Sequence, residues 1–549
     1  SIREKCRRQT QNPSGVLVRV CESPGQCPVC GGPWLVQKTV SRRGRTIRHG
    51  QFEAKETVHV CSAGCCHPSG ALVTRRAASL ANTIIPNRMI GYDVMVYIGM
   101  ERFVHYRQRK EIKDTLLREY GITVSTGEIS NLGNRFLTYL KELHRAKTPV
   151  LKAALERDGG WPMHVDATCE DGRGTLLVVM AGWRRWILGS ARVPTERTDA
   201  ILPELEKVVQ LFGPPCAVMR DLGHAVTLAV EELVKTFETR IPILACQLHF
   251  LKDIGRDLIE PPHGALRKLF RRRNIRKDLR ALIRELGREI GTEIVEARKA
   301  FQDWQRLEGS HRVPEGKDGL AVVRGLGQWV IDFAAEGNGL GFPFDRPYLD
   351  FYERCHEALQ ATNTFLCCPP EDRRVHKVLR RFSAILQRVD DDAFTVTLKS
   401  MRTRCKLFDQ LRAALRLANQ TSNAAEALKD QLGELRSARS AVEEFAEKLR
   451  RDRPERGPAT DRREAIDLIL EHLDRHKDYL WGHEIAIPND KGGVRLVDRT
   501  NNIQEGFFHE IKHGERRRSG RKRLTQDFEN LPPEAPLARN LTCPDYVNI

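Results

Sequence analysis

Met163-His164-Val165-Asp166-Ala167-Thr168 opens a run in which one regular element follows another. β-formers dominate it, so it reads as a short strand with Asp166 near its end. Two more strands are expected at Gly174–Gly182 and Arg185–Val193. Thr198–Phe212 has helical spacing, with Ile201, Leu202, Leu205, Val208 and Val209 as its apolar positions. Cys216–Asp221 then reads as a buried strand ending on a second aspartate. A helix at Val226–Phe237 and a strand at Ile241–Ala245 close the run.

Three strands, helix, strand, helix, strand is the element order of an RNase H-like α/β core. Asp166 and Asp221, on neighbouring strands of such a core, can point into one pocket. A third acid comes late in the chain. Val494–Val497 reads as a strand, and Thr500-Asn501-Asn502 leads into a helix at Ile503–His513 with Glu505 in its first turn. Asn502 and Glu505 are expected to form a capping-box pair, and Gly514 to end the helix. The spacings are 221 − 166 = 55 and 505 − 221 = 284. Three such carboxylates can hold two Mg²⁺ or Mn²⁺ ions about 3.5–4 Å apart. Octahedral oxygen coordination suits these ions rather than Zn²⁺. Without cations the carboxylates repel, and one tends to keep a proton. The competing assignment makes Asp166 and Asp221 turn or cap residues. Asp171, in a loop, is a poorer candidate. Glu510, roughly 140° around the helix from Glu505, and Glu515 compete for the place of third acid.

Residues 1–75 are rich in Cys, Gly and β-formers. Cys27-Pro28-Val29-Cys30 is followed, thirty residues on, by Cys61-Ser62-Ala63-Gly64-Cys65. Two short-spaced pairs supply four thiolates at the corners of a tetrahedron, which suits a structural Zn²⁺. Strand-like stretches between them (Trp34–Val40, Thr57–Val60) suggest a zinc ribbon. Cys66 and His67 are spare ligands that leave the fourth position open, and Cys6 and Cys21 read as reduced, buried cysteines. Residues 76–155 read as helical. Arg109–Tyr120 is amphipathic, with Ile112, Leu116 and Leu117 on one face. Gly121-Ile122-Thr123-Val124 turns, and Ser125 with Glu128 caps a second helix carrying Ile129, Leu132, Phe136, Leu137 and Leu140. This is a helix-turn-helix pattern, with an ordinary helical hairpin as the plainer possibility.

After the core-like segment at 156–255, residues 256–490 are almost wholly helical and charged, and 491–549 return to mixed structure. Leu266–Gly287 reads as one basic helix with Arg267, Lys268, Arg271, Arg272, Arg273, Arg276 and Lys277. A second basic run holds Arg516, Arg517, Arg518, Arg521, Lys522 and Arg523, and Lys512 lies on the helix of Glu505. Both runs read as phosphate tracks, against the alternative of solvated faces balanced by Glu. About ten phosphate contacts make affinity fall as roughly the ninth power of salt concentration. Ala424–Arg451, with Leu428, Leu432, Leu435, Val442, Phe445 and Leu449, is expected to form a coiled hairpin arm that can join protomers. Trp183 and Trp186 flank Arg184 and Arg185; packing is favoured for them over stacking on an unpaired base.

Composition agrees with a polyanion partner. The 549 residues carry 90 Lys+Arg against 72 Asp+Glu, a net charge of +18. No apolar run approaches the ~20 residues of a membrane span. The opening Ser1-Ile2-Arg3-Glu4-Lys5-Cys6 has charge but no apolar core, so a secretory signal is not expected. Fifteen Cys without such a signal read as thiols and metal ligands. A cytoplasmic, nucleoid-associated bacterial protein is expected.

With these residues assembled, the chain resembles a bacterial insertion-sequence transposase of the DDE class. Met163–Thr168 is similar to the strand of the first Asp, and Val218-Met219-Arg220-Asp221-Leu222-Gly223-His224 to the turn of the second. Cys246-Gln247-Leu248-His249 is similar to the Cys-x-x-His that follows the second Asp in Mutator-like, hAT and related transposases. Arg499-Thr500-Asn501-Asn502-Ile503-Gln504-Glu505 is similar to the Asn-Asn…Glu helix of the final acid. The resemblance covers roughly residues 160–255 and 490–525, and the helical stretch between resembles the family's insertion domain. It implies metal-dependent cleavage at element ends by Asp166, Asp221 and Glu505, then attack of the freed 3′-hydroxyl on target DNA. It implies that Cys246 and His249 lie near the active site; the plainer alternative is a buried Cys and a satisfied His. The zinc ribbon and helix-turn-helix then recognise terminal inverted repeats of double-stranded DNA, and at least two protomers meet in the synapse. A non-catalytic DNA-binding regulator and a structure-selective nuclease of the same fold are the alternatives.

Overall fold

Residues 16–20, 25–65, 70–291, 312–334, 341–417, 427–457, 459–487 and 493–549 are described by a computed structural model. Two units emerge: Ser1–Leu244 with Gly482–Ile549, and Ala245–Trp481. Cys6, Cys21, Cys66 and His67 lie outside the described residues.

The first unit opens with β1 (Val16–Val20), β2 (Trp34–Thr46), β3 (Gly50–Cys61) and β4 (Thr74–Arg75). They form a sheet in the order β1-β3-β2, with β4 also on β3. β2 and β3 are one long antiparallel hairpin whose register brings Trp34 opposite Cys61. A short helix α1 (Ala78–Ala81) leads to α2 (Tyr92–Phe103), α3 (Arg109–Tyr120), α4 (Thr126–Ala146) and α5 (Thr148–Arg157). The α3–α4 turn forms as expected: Glu128 donates its backbone N–H to Ser125 Oγ at 3.0 Å. Ile129, Leu132, Phe136, Leu137 and Leu140 are all buried. Leu117 is not: it is 51% exposed, and Thr115 joins Ile112 and Leu116 inside instead. Leu117 lies five residues from Ile112, roughly 140° around the helix.

A five-stranded sheet follows, from β5 (Pro162–Glu170), β6 (Arg173–Ala181), β7 (Trp186–Arg192), α6 (Thr198–Phe212), β8 (Ala217–Arg220), α7 (His224–Lys235) and β9 (Ile243–Ala245). The strand order is β7-β6-β5-β8-β9. β6 is antiparallel to β5 and β7, and β5 is parallel to β8. Successive side chains on a strand point to opposite faces, and β6 shows both. Leu177, Val179 and Ala181 pack with Leu205, Phe212 and Val230 of α6 and α7. Leu176, Val178 and Met180 pack with Ile129, Phe136 and Leu140 of α4 and with Phe507, Phe508 and Ile511. Both faces are therefore covered, and the helical hairpin shares one core with the sheet.

The described residues of the second unit form helices: α8 (Gln247–Arg272), α9 (Ile275–Ile290), α10 (Gly316–Ile331), α11 (Pro347–Cys367), α12 (Arg373–Leu386), α13 (Asp392–Leu415), α14 (Ala427–Asp452) and α15 (Thr460–His476). Their core is aromatic, built on Phe270, Phe351, Phe382 and Phe394. Two expectations are corrected here. The basic segment Leu266–Gly287 is two helices, because Asn274 takes a left-handed conformation with φ 55° between α8 and α9. The segment expected as a projecting arm is α14, which packs against α13 and α15. Its Leu435, Val442, Phe445 and Leu449 are buried within the unit, so that stripe is not offered to another protomer.

The chain returns to the first unit through the hairpin β10 (Glu484–Ile487) and β11 (Gly493–Leu496), then α16 (Asn502–Ser519) and α17 (Thr525–Asn530). Gly514 does not end α16. It is buried in mid-helix, where an added Cβ would lie 2.3 Å from the Tyr106 ring, so glycine there permits a close approach. Asn501 is the N-cap residue and makes no side-chain cap bond, so the expected Asn502–Glu505 capping box does not form. Among the described residues no helix is long and apolar enough to cross a membrane.

Candidate active site and metal centre

The β5–β8 register pairs Val165 with Arg220. One step further along these parallel strands brings Asp166 beside Asp221. On β5, Met163 and Val165 face the α6–α7 side, so Asp166 faces the side covered by α16. Glu505, in the first turn of α16, arrives from that side. The Asp166 carboxyl is pushed up to about 8, first by burial and then by the charges of Asp221, Glu505 and Glu196. The three acids expected from the sequence therefore act on one another. Glu510 instead faces Arg539 at 3.7 Å. Glu515 is buried and bonded to Arg518. Glu196, exposed in the loop after β7, is a fourth carboxylate that sequence reasoning missed. Nothing in its local sequence marks it.

A buried polar layer lies behind Asp166. Asn501 Nδ2 donates to Asp166 Oδ2 at 3.5 Å, and Asn501 Oδ1 is 2.9 Å from His164 Nδ1. An amide oxygen only accepts, so His164 carries its proton on Nδ1. Burial holds His164 below the ordinary imidazole range. His483, fully buried, is pushed down to about 3 by burial, by Arg499 and by His164. Neutral imidazoles here add no positive charge to offset the acids. Gln504 anchors α16 to the sheet, donating to Val178 O at 2.7 Å directly across β6 from Asp166. Asp221 Oδ1 accepts from Gly223 N at 3.0 Å, which fixes its carboxylate over the start of α7.

The cations expected near the scissile strand separate into two groups. Lys512 donates to Cys169 O at 2.9 Å and sits 3.8 Å from Glu170, which also draws Arg516 to 3.6 Å. Arg518 bonds Glu515 and Asp527, and Arg521 reaches Asp527 at 3.5 Å. Lys512 and Arg518 are tied into the protein, whereas Arg516 and Arg521 keep exposed side chains beside their partners. Arg517, Lys522 and Arg523 are exposed. Arg518 and Arg521 also line a cleft of about 630 Å³ with Arg102, Arg109 and Lys110. Burial holds the Arg102 guanidinium down to about 10. Trp186 is buried beneath Arg184, and Trp183 lies under Arg495 with its indole N–H on Leu496 O, so both tryptophans pack.

In the second unit, Arg267, Arg271, Arg276 and Lys277 line a cleft of about 660 Å³ with Arg280 and Arg284. Lys268 and Arg272 are exposed, whereas Arg273 is held by Asp391. Cys246, buried, is the N-cap residue of α8, and His249 is half-buried in its first turn.

The four predicted thiols meet at the end of the β2–β3 hairpin. The sulfurs of Cys27, Cys30, Cys61 and Cys65 all lie within 4.8 Å of one another, and none is in a disulfide. Cys30 and Cys61 are 3.4 Å apart. A tetrahedral Zn²⁺ with Zn–S near 2.3 Å places sulfurs about 3.8 Å apart, so the cluster can hold a zinc ion. Two loops of like shape build it. Gly31 N bonds Cys27 O at 2.9 Å and Gly64 N bonds Cys61 O at 3.1 Å. Gly31 and Gly64 sit at φ 68° and 66°, where a side chain is strained. The Cys61 thiol is pulled down to about 6, first by the Cys65 N–H. The Cys65 thiol is pushed up to about 12 because Cys30 and Cys61 crowd it. Four thiols so close could ionise together only on a bound cation, such as Zn²⁺.

Compared with models of protein families and with curated proteins, the sequence matches none.

Proposed function

We propose that this chain is a DDE-type DNA transposase that cuts and joins DNA at the ends of an insertion sequence. The observation that carries this is that the β5–β8 register sets Asp221 beside the buried Asp166, whose carboxyl also feels the charge of Glu505. The strand order β7-β6-β5-β8-β9, with two antiparallel pairings before a parallel one, supports an RNase H-like core. A buried carboxyl whose proton affinity is raised by burial and by neighbouring acids fits divalent hard cations, because oxygen ligands take Mg²⁺ or Mn²⁺. Asp166, Asp221 and Glu505 would hold them, and bound ions would lower the cost of negative charge at the scissile phosphate. Asn501 keeps one Asp166 oxygen in place, while Gln504 fixes the first turn of α16 and hence Glu505. Glu196, at the rim, adds negative charge that favours metal entry.

The exposed Arg517, Lys522 and Arg523 and the cationic clefts supply phosphate contacts. The thiol cluster, as a zinc ribbon, and the α3–α4 hairpin are assigned to recognition of DNA ends, with a second protomer joining in the synapse. The test is cleavage and joining of DNA carrying the flanking element ends, in Mg²⁺, Mn²⁺ or chelator. Metal-dependent products from wild type, lost in Glu505→Gln, are expected. End binding without cleavage by wild type would favour a regulator, and cleavage without joined products a plain nuclease.

A further inference from the structure

Helices α8 and α15 pack together inside the second unit. Each carries a pair of potential ligands one turn apart: Asp253 and Asp257 on α8, His472 and His476 on α15. Residues four apart share a helix face, so the two pairs can meet, and they do. One ligand atom from each of Asp253, His472 and His476 lies within 4.8 Å of the other two.

The detail lies in His472, which is 3% exposed. Its Nε2 is 3.1 Å from Asp257 Oδ2. An ionised carboxylate only accepts, so Nε2 carries a hydrogen. In the neutral ring Nδ1 is then a bare lone pair. It is buried, makes no hydrogen bond among the described residues, and faces Asp253 Oδ2 at 3.8 Å. Arg256 bonds the other oxygen of Asp253, which leaves Oδ2 turned to the ring. The His476 ring lies alongside, with centroids 6.3 Å apart and planes at 26°. Two acceptors facing each other, one of them buried, are unfavourable unless a cation lies between them.

We propose that Asp253, His472 and His476 bind a divalent transition-metal ion of the zinc class, with Asp257 as the positioning residue that orients His472. Imidazole nitrogens select zinc-like ions over Mg²⁺. A carboxylate on the far nitrogen of a ligating histidine is the usual outer partner in such sites. Zinc bonds near 2.0–2.2 Å place N and O ligands about 3.4 Å apart, a few tenths of an ångström closer than His472 Nδ1 and Asp253 Oδ2 now stand. Three protein ligands leave a fourth position for water. The ion would staple α15 to α8, whose far end bears Arg271 and Arg272. The proposal is independent of the DNA chemistry proposed above.

The full chain, loaded with Zn²⁺ and passed over a chelating resin, is assayed for metal content. Wild type is expected to keep two zinc ions, one on the four thiols and one here. Cys30→Ser/Cys65→Ser and His476→Gln should each keep one, and Asp257→Asn should weaken the helical site by about 10–100-fold. Asp166→Asn should leave the count at two, which separates this site from the acid cluster. An unchanged count in folded His476→Gln or Asp253→Asn overturns the proposal. If those variants fail to fold, Co²⁺ titration of wild type decides. A second equivalent whose spectrum lacks thiolate charge transfer supports the site. Saturation at the thiolate equivalent alone refutes it.

Discussion

Cys27, Cys30, Cys61 and Cys65 meet at the end of one hairpin, whereas Asp221 and Glu505 act on Asp166 through their charges, across 505 − 166 = 339 residues of chain. Both clusters crowd groups that repel when ionised. The thiols are placed by two short loops, so the cluster and the hairpin depend on each other. The acids are placed by a sheet already packed on both faces, so their repulsion is carried by a core of many side chains. If the acids hold cations as proposed, loss of the cation should therefore act differently in the two places. At the thiols it should undo structure, and at the acids it should remove only chemistry.

Chelation of zinc, or Cys30→Ser, breaks this comparison most severely. It should remove on the order of 10 kcal/mol from the hairpin, as in small zinc modules. Amide exchange should accelerate over residues 25–65 and stay slow in β5 and β6; equal acceleration in the sheet would contradict it. Next come the acids. On the proposed function, Asp166→Asn, Asp221→Asn and Glu505→Gln should each cut strand cleavage by on the order of 10³-fold. Their DNA affinity should stay near wild type, and metal-free Asp166→Asn should melt no lower than wild type. Normal cleavage by any one variant removes that residue from the site.

The third effect concerns pH. Asp166 is raised to about 8 in the folded chain from an ordinary value of 3.8. The folded state then holds more protons than the unfolded state between those values. This stabilisation is complete at low pH and is lost as pH rises from about 4 to about 8. The slope is at most about 1.4 kcal/mol per pH unit. Metal-free melts against pH should show it in wild type and not in Asp166→Asn. The smallest effect separates exposed from tied cations. Arg517→Ala should reduce the salt dependence of DNA binding by about one phosphate contact. Lys512→Ala should leave that slope unchanged, because Lys512 already bonds Cys169 O.

The legible parts of the molecule rest on short-range rules. Ser125 caps α4, and β6 alternates between two cores, because capping and strand pleat involve neighbours only. The pair Asp166 and Asp221 is accessible for the same reason, since Asp166 lies within one recognisable strand and Asp221 directly follows another, although Asp166 sits in mid-strand rather than near the end expected. Glu505 could not be separated from Glu510 and Glu515 by pattern. Packing separates them, with Arg539 and Arg518 taking the other two. Asn501 read as part of a helix start, yet its side chain turns inward to His164 and Asp166. The apolar stripe of α14 looked like a free seam because its partners, α13 and α15, are separate segments of chain.

By itself, the sequence determined the strand and helix order of residues 163–245, the Ser125 cap, and which residue types could take metal. These follow from backbone preferences and periodicities that span a few residues. Only the tertiary structure decided which late acid acts on Asp166, which arginines face solvent, and that two aspartates on α8 face two histidines on α15. Such pairings depend on through-space distance and burial, which the order of residues along the chain does not specify.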